Sequence, residues 1–315
     1  MSADLEQFWQ PLDLLRVDGD DRVGHLQRLS SQNLQPLAEP GLLAETLFLT
    51  PQGRLVDWVT VAASAGQLAL AASPGRGGRL AEWIRRYTIT ERVAVCVEPA
   101  ARWWRLLLLG PGALAAVGRA ALPAPGRWEG DWDQGIWRAP LAAFGAGLEA
   151  WMPQEQVEVL RRRLAVAGAV VGNAPTLERR RLAAGVPSSA YEFADPVNPL
   201  ELRLGALAVG WNKGCYIGQE VVSRLDNYQK VARLLVGFTA AAVLPAAPTA
   251  KIVRGDAILG RVTSHSGDSV GTIGLALVKQ SAAAPQPVEL MVGEARIPAE
   301  LTLPPFCAQP VTAEG

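Results

Sequence analysis

The sequence is organised around the stretch Lys213-Gly214-Cys215-Tyr216-Ile217-Gly218-Gln219-Glu220, where reactive, polar and glycine residues lie side by side. Gly214 and Gly218 bracket its centre, so the backbone can turn tightly there and approach a neighbouring group closely. The residues after Gly218, to about residue 228, favour a helix. Cys215 therefore lies just before a predicted helix N-terminus and two residues from Lys213, and both features favour a thiolate.

Two interpretations of this stretch are open from the residues alone. It could be a tight strand-to-helix turn with a buried cysteine, because lone cysteines are usually small core residues. A packing turn, however, has no need of lysine, glutamine and glutamate together. We therefore interpret the stretch as a functional site and predict that Cys215 and Lys213 carry its chemistry.

Composition indicates a compact globular protein. The 315 residues are 49% hydrophobic and 19% charged, which is not the composition of a disordered chain. Thirty basic and thirty acidic residues leave no net charge, which argues against a nucleic-acid partner held by bulk electrostatics. No apolar run is long enough to cross a membrane, and the acidic residues 1–6 do not resemble a secretory signal. We therefore expect a cytoplasmic protein with no membrane partner.

Metal-ligating residues are few and dispersed. The three cysteines are Cys96, Cys215 and Cys307, and no C-x-x-C pair occurs. The two histidines, His25 and His265, are 240 positions apart in the chain, by subtraction of their numbers. Structural zinc sites and iron–sulfur clusters normally draw on four ligands, often from C-x-x-C pairs. We predict that the chain has no metal site of its own.

The N-terminal part of the sequence predicts an α+β subdomain. Alternating apolar patterns and turn signals mark five strands. They are 12–17, 42–50, 55–63, 67–72 and 92–97. Helical spacing predicts one helix after the first strand and another after the fourth. The resulting order β-α-β-β-β-α-β is close to the split βαβ, ferredoxin-like arrangement.

The same order recurs more faintly downstream. Strands are predicted at 103–109, 135–140 and 147–151, with helices at 112–120 and 153–166. After an Ala/Pro-rich linker at 240–250, short strand-like runs separated by turns predict a small antiparallel sheet or barrel. We therefore divide the chain into a body, residues 1–239, with two or three α+β subdomains around a central opening, and a C-terminal barrel, residues 240–315.

The central stretch resembles the K-G-C-Y-x-G-Q-E motif of the YgfZ family of folate-binding proteins. That family is related to the aminomethyltransferase, or T-protein, of the glycine cleavage system. All positions of the motif match, and Arg224 follows in step. Three further segments are similar to family motifs. They are Arg54-Leu55-Val56-Asp57, the segment from Arg181 through Gly185-Val186-Pro187 to Glu192, and Gly260-Arg261-Val262-Thr263-Ser264 with Ile273-Gly274-Leu275-Ala276.

The resemblance implies a fold and a function. The implied fold is α+β, with ferredoxin-like pseudo-repeats forming a folate-binding body and a small C-terminal β-barrel. The implied function is that of a tetrahydrofolate-binding protein that assists assembly or repair of iron–sulfur enzymes, with those enzymes or cluster-assembly proteins as partners. The implied cofactor is tetrahydrofolate or a one-carbon derivative. The residues expected to contact it are Asp57, Glu192, Tyr216, Gln219 and Arg224.

A folate-dependent aminomethyltransferase or demethylase is the alternative. Two departures from the T-protein pattern count against it: Asp57-Trp58 stands where the T-protein has paired aspartates, and Ala183 stands where the family has a glutamate. Other readings of the two predicted ligand carboxylates also remain open. Glu192 could be an ordinary exposed loop residue, and Asp57 could face solvent from its strand.

Overall fold

The computed structural model describes residues 5–193, 196–228, 230–245 and 250–308. The chain forms two compact units. The first comprises Met1–Asn173 with Leu207–Gln219, and the second comprises Ala174–Ala206 with Glu220–Gly315. Within the described residues, no helix is both long enough and apolar enough to span a membrane.

The first unit contains two antiparallel-rich sheets with helices. Its described strands are β1 (Glu6–Pro11), β2 (Asp13–Asp18), β3 (Leu43–Leu49), β4 (Leu55–Ser64), β5 (Gln67–Ala72), β6 (Ala94–Val97), β7 (Trp103–Leu109), β8 (Glu129–Asp131), β9 (Gly135–Arg138), β10 (Gly147–Pro153) and β11 (Val170–Val171). Its α-helices are α1 (Arg22–Leu29), α2 (Gly77–Arg86), α3 (Ala113–Ala116) and α4 (Gln154–Val166). One-turn 3-10 helices lie at Gln35–Ala38 and Ala142–Phe144.

The first sheet has the strand order β3-β4-β5-β2-β6. Apart from the added edge strand β3, this is the ferredoxin-like order, and the predicted succession β-α-β-β-β-α-β is confirmed. One face of the sheet and the helices α1 and α2 share an apolar core that includes Leu26, Phe48, Trp83 and Ile84. Burial of these side chains is the main stabilising contribution to this half.

The second sheet has the order β11-β1-β7-β10-β9-β8. Strands β11, β7, β10 and β9 repeat the ferredoxin-like order, which confirms the predicted pseudo-repeat. Strand β1 was not predicted: it lies between β11 and β7, pairing parallel with the first and antiparallel with the second. The N-terminal strand thus supplies a central position in the second half, and β2 follows it directly in the first sheet.

Buried polar groups connect the two sheets of the first unit. Arg138 on β9 donates to Glu45 Oε1 on β3 at 2.8 Å and to the hydroxyl of Thr60 on β4 at 3.0 Å. The same carboxylate accepts a hydrogen bond from the indole of Trp58 at 2.9 Å. Because the guanidinium is almost completely buried, its charge must be compensated, and the carboxylates of Glu149 and Glu45 do so.

The second unit is built on a closed barrel. Its helices include α5 (Ala174–Ala184), while α6 (Gly205–Ala208) and α7 (Gln219–Asn227) each contain residues of both units. The barrel strands are β12 (Arg233–Ala240), β13 (Lys251–Arg254), β14 (Ala257–Asp268), β15 (Gly271–Lys279), β16 (Gln286–Val292) and β17 (Ala295–Thr302), with a 3-10 turn at Gln280–Ala282. They close in the order β12-β15-β14-β13-β16-β17, which confirms the predicted C-terminal barrel.

The compact units group the chain differently from the predicted division at residue 240. Strand β12 lies before that point, yet it pairs with both β15 and β17 and is therefore part of the barrel. Helix α5 lies much earlier in the chain and packs on β14 and β15. Of the predicted Ala/Pro linker, residues 246–249 lie outside the described part of the chain.

Candidate functional site: the Cys215 loop and two buried carboxylates

Two hydrogen bonds attach the residues just before the motif to Ser31. The amide of Gly210 donates to the carbonyl of Ser31 at 2.9 Å. In return, the hydroxyl of Ser31 donates to the carbonyl of Ala208 at 2.5 Å. The chain entering the motif is therefore fixed against the segment that follows helix α1.

Lys213 continues this attachment with its side chain. Its ammonium donates to the backbone carbonyls of Gln27 at 2.7 Å, Ser30 at 2.5 Å and Gln32 at 2.8 Å. The nitrogen also lies 5.2 Å from the centre of the Tyr216 ring. Burial lowers the pKa of Lys213 to about 8, although the three carbonyl acceptors favour the charged form.

Gly218 fixes the other end of the loop. Its φ is +85°, a conformation that side chains with a Cβ rarely adopt. A Cβ at this position would lie only 2.7 Å from the carbonyl oxygen of Thr50 and 3.3 Å from Gly53 Cα. The loop therefore packs directly on the turn of the β3–β4 hairpin, and the adjacent Ile217 packs against the core below.

Cys215 lies exposed between these two attachments. This exposure argues against the alternative of a packing turn with a buried cysteine. The neighbouring Tyr216 is buried instead, and burial raises its pKa to about 12. Its amide donates to the side-chain oxygen of Gln219 at 3.3 Å, which closes the turn before helix α7. The motif thus presents a thiol to solvent from a loop held at both ends.

Asp57 lies in the same unit, on the second strand of the hairpin that supports this loop. Its side chain is only 1% exposed, so it does not face solvent. One oxygen accepts from the amide of Trp58 at 3.0 Å and the other from the amide of Ser73 at 3.1 Å. Burial raises the pKa of Asp57 from 3.8 to about 6, against the opposing effects of the Ser73 hydrogen bonds and the charge of Arg76.

Glu192 belongs to the second unit and is completely buried. One oxygen accepts from the hydroxyls of Thr263 and Ser264, each at 2.7 Å. The other accepts from the Ser188 amide at 2.8 Å and from Arg181 at 3.2 Å. A carboxylate offers about four acceptor positions, and protein donors fill that number here. Its predicted contact with a ligand stays a prediction.

A β-bulge explains how two consecutive side chains reach Glu192. The register of the β14–β15 pair shifts between Val262 and Ser264, so Thr263 is the extra residue. A bulge re-aims side chains that would otherwise alternate between the two faces of a strand. In the sequence, Thr263 and Ser264 stand out only as part of a family motif. Their role as donors to Glu192 was missed, since a bulge has no reliable signal in one sequence.

The remaining predicted residues divide between the units. Cys215, Lys213, Tyr216, Gln219 and Asp57 belong to the first unit. Arg224 is exposed on helix α7 and belongs, with Glu192, to the second. The backbone carbonyls that hold Lys213 were not predicted, because a carbonyl ligand leaves no mark on residue identity.

The other two cysteines differ from Cys215 in setting. Cys96 is exposed on the edge strand β6, whereas Cys307 is buried and its thiol faces the carbonyl of Gly185 at 3.5 Å. Burial raises the pKa of Cys307 to about 12, despite the opposing charge of Arg203. Among the described residues, no three His, Cys, Asp or Glu side chains are grouped to hold a metal ion. The expected absence of a metal site stays a prediction.

Comparison with known proteins relates this chain to the glycine cleavage T-protein fold. Residues 233–307 match the model of the glycine cleavage T-protein C-terminal barrel domain. The crystal structure of the glycine cleavage system aminomethyltransferase T from Bartonella henselae is similar, with a TM-score of 0.77 and 16% identity, over 96% of this chain and 87% of that one. The expected T-protein-like fold is confirmed.

Two curated relatives add other functions to the comparison. A putative chloroplastic transferase of Arabidopsis thaliana is 26% identical over 292 residues, which are 89% of this chain and 66% of that protein. A mitochondrial iron–sulfur cluster assembly factor of Homo sapiens is 27% identical over 290 residues, 84% of this chain and 74% of that protein. These similarities support a relation to T-protein-like proteins in general, and the narrower resemblance to the YgfZ family stays a prediction.

The raised pKa of Asp57 predicts a specific dependence of stability on pH. Because the folded protein holds this proton more tightly than the unfolded chain, the contribution is fully present below pH 3.8 and is lost as pH rises through about 6. The loss should be about 3 kcal/mol, since one pKa unit corresponds to about 1.4 kcal/mol. Urea unfolding of wild type and Asp57→Asn across this range measures it. The free energy of unfolding of wild type minus that of Asp57→Asn should fall by about 3 kcal/mol as pH rises. Glu39→Gln, which removes an exposed carboxyl, is the control; parallel wild-type and Asp57→Asn profiles would contradict the assignment.

The three thiols should react in a definite order. We expect Cys215 to be alkylated fastest, because it is exposed on a fixed loop shortly before the N-terminus of helix α7. Cys96 should react as an ordinary exposed thiol, and Cys307 only on unfolding because it is buried. Iodoacetamide labelling against pH, resolved by peptide mass spectrometry, measures all three. A Cys215 that reacts no faster than Cys96 would refute the expectation.

Proposed function

We propose that this chain binds a reduced folate and uses the Cys215 thiol in assembling or repairing iron–sulfur enzymes. The observation that carries the proposal is the exposure of Cys215 on a loop that Lys213, Tyr216 and Gly218 hold in place. Lys213 is bound to carbonyls, Tyr216 is buried and Gly218 is packed on the hairpin turn. A surface thiol presented in this way is available to a partner molecule.

The comparisons support the two halves of this proposal separately. The similar human protein is named as an iron–sulfur cluster assembly factor, which supports a role with iron–sulfur clients. The barrel match and the similar fold point to T-protein relatives, and the motif resemblance adds folate to that relation. The clients would be iron–sulfur enzymes or cluster-assembly proteins, with no nucleic acid or membrane involved and a cytoplasmic location.

For folate, Asp57 is the better supported of the two predicted carboxylates. It lies on the hairpin that supports the Cys215 loop, and its two oxygens accept from the backbone amides of Trp58 and Ser73. A pterin offers an amidine-like face that a carboxylate can accept from with both oxygens. Tyr216 and Gln219, which belong to the same unit as Asp57, complete the proposed contacts, and the contacts expected for Arg224 and Glu192 stay predictions.

The Cys215 thiol could form a bond either to carbon or to sulfur. A thiolate can add to the iminium carbon of a one-carbon unit carried by folate, with the C=N π pair returning to nitrogen, or it can take the outer sulfur of a persulfide and release the donor as a thiolate. Either use requires an accessible thiol, which Cys215 provides. A thiolate attack on a carbon centre or on sulfur also has the same geometric requirement, a path open to solvent on one side.

A one-carbon transferase remains the second candidate, and Asp57 is the observation that favours it. With a pKa of about 6, this carboxyl can exchange a proton near neutral pH, as a general acid or base must. Trp58, however, occupies the position where the T-protein has its second aspartate. Incubation of the protein with tetrahydrofolate and an aminomethyl donor, followed by analysis of the folate product, would detect this activity directly.

Tetrahydrofolate should bind with a saturable heat in calorimetry, and Asp57→Asn should weaken binding by about tenfold or more. A hydrogen bond to a charged group is worth about 1.5–3 kcal/mol, and 1.4 kcal/mol is tenfold in affinity. Absence of saturable heat with the wild-type protein would refute folate binding. Unchanged affinity in Asp57→Asn would remove Asp57 from the site.

Glu192→Gln and Thr263→Val form a matched pair for the second carboxylate. Thr263→Val removes one internal donor to Glu192 but leaves the charge in place. If Glu192 contacts folate, only Glu192→Gln should lose affinity. If the residue serves only to hold its own unit together, both variants should lose thermal stability while their folate affinity stays at the wild-type value.

Cys215→Ser should abolish function without affecting folding. An exposed side chain that packs on little can be changed at small cost, usually within about 0.5 kcal/mol. The test compares wild type, Cys215→Ser and the control Cys96→Ser for rescue of a strain deficient in maturing its iron–sulfur enzymes, alongside thermal unfolding. Rescue by Cys215→Ser equal to wild type would overturn the proposed use of the thiol.

A further inference from the structure

Lys213 occupies a site that the backbone builds for a cation. Three carbonyl oxygens, from Gln27, Ser30 and Gln32, converge on its nitrogen at 2.5–2.8 Å. An ammonium has three N–H donors, so these contacts account for all of them. The charge of Lys213 is therefore directed toward the backbone at the end of helix α1.

The end of helix α1 needs such a partner. The last carbonyls of a helix have no acceptor role within it, and a cation there is favoured by the helix dipole. Gln27 lies in the last turn of α1, and Ser30 is the residue that caps it. Lys213 satisfies carbonyls at this helix end from a loop nearly two hundred residues further along the chain.

Two further contacts, one on each side of Cys215, help to determine where the thiol lies. The Gly210 amide donates to the Ser31 carbonyl before it, and Gly218 packs closely against Thr50 after it. Between them, Gly214 has open space around it, with nothing within 4 Å of a Cβ built there. Lys213 is thus the side-chain attachment next to a permissive glycine, immediately before the cysteine.

We propose that Lys213 is the positioning residue of Cys215, acting as a tethered cation that closes the carbonyl cage of Gln27, Ser30 and Gln32. In this role it holds the loop in place rather than exchanging protons or pairing with the thiolate. The inference rests on the proposed function, in which Cys215 is the reacting group. It changes the role first expected for Lys213, that of a participant in the chemistry.

Lys213→Met tests the proposal, because it keeps the length of the side chain and removes both charge and donors. Two measurements are made on the full chain. The first is hydrogen exchange of the Gly210 amide, which donates to Ser31. The second is the pH–rate profile of Cys215 alkylation by iodoacetamide. Lys213→Gln, with two N–H donors and no charge, is the second variant should Lys213→Met fail to fold.

If Lys213 positions the loop, the Gly210 amide should exchange faster in Lys213→Met. The plateau rate of Cys215 alkylation should change, and the midpoint pH of that profile should stay at the wild-type value. Exchange of the Gly210 amide should accelerate about tenfold or more in Lys213→Met, given the strength of hydrogen bonds from a charged donor, and less in Lys213→Gln. The plateau rate of alkylation should change several-fold as the loop loses its fixed position. Leu164→Ala, in the core of the second sheet, controls for general destabilisation and should change neither measurement.

Two results would overturn the proposal. If the Gly210 amide of Lys213→Met exchanges at the wild-type rate, the cage does not hold the loop. A raised midpoint of Cys215 alkylation with wild-type exchange would show that Lys213 acts as the charge partner of the thiolate. Failure of the proposed function is separate: it would appear as full rescue by Cys215→Ser, and the exchange measurement would still report on the cage.

Discussion

The close approach of Gly218 to the β3–β4 turn is the constraint on which the site depends. A Cβ on this residue would lie only 2.7 Å from the carbonyl oxygen of Thr50, which favours glycine there, and φ of +85° adds the same requirement. Since this contact joins backbone to backbone, it fixes the loop at a set distance from the hairpin whatever the surrounding side chains are. The lysine cage then fixes the loop at its other end, and the cysteine between them is exposed.

The buried carboxylates of Asp57 and Glu192 illustrate how the hydrogen-bond donors around a charge separate structural from reactive groups. Glu192 accepts from an arginine, an amide and two hydroxyls, so its charge is neutralised within its own unit. Asp57 accepts from backbone amides, and burial outweighs these contacts, because the pKa is raised. A carboxylate whose charge is incompletely stabilised can take up a proton near neutral pH, as Asp57 does.

Local patterns in the sequence were sufficient for most elements of the fold. The succession of strands and helices in both halves of the first unit and the C-terminal barrel follow from periodicities that a short window contains. The insertion of β1 between β11 and β7 could not be predicted, since it depends on pairing between residues that are 93 (Pro11 and Trp104) to 164 (Glu6 and Val170) positions apart. The cage around Lys213 was missed for the same reason, and because carbonyl oxygens are common to every residue.

For the site, residue identity indicated importance more reliably than role. Cys215 was expected to be accessible, and it is exposed. Lys213 was expected to act on the thiol, yet its three hydrogen bonds go to the backbone. Lysine and glutamate are both used for chemistry and for compensating buried groups, and the two uses differ only in which partners surround them. Those partners come from distant segments, so the distinction requires the folded chain.

Trp58 shows how a T-protein-like fold can be retained while one position changes its use. Its indole N–H donates to Glu45, which also binds Arg138, so the residue beside Asp57 forms part of the polar connection between the two sheets. An aspartate there would place a second negative charge beside Glu45, at the cost of repulsion in a partly buried setting. This chain therefore has the network of Glu45 and Arg138 in place of a second acid. Any proton transfer on that strand would depend on Asp57 alone.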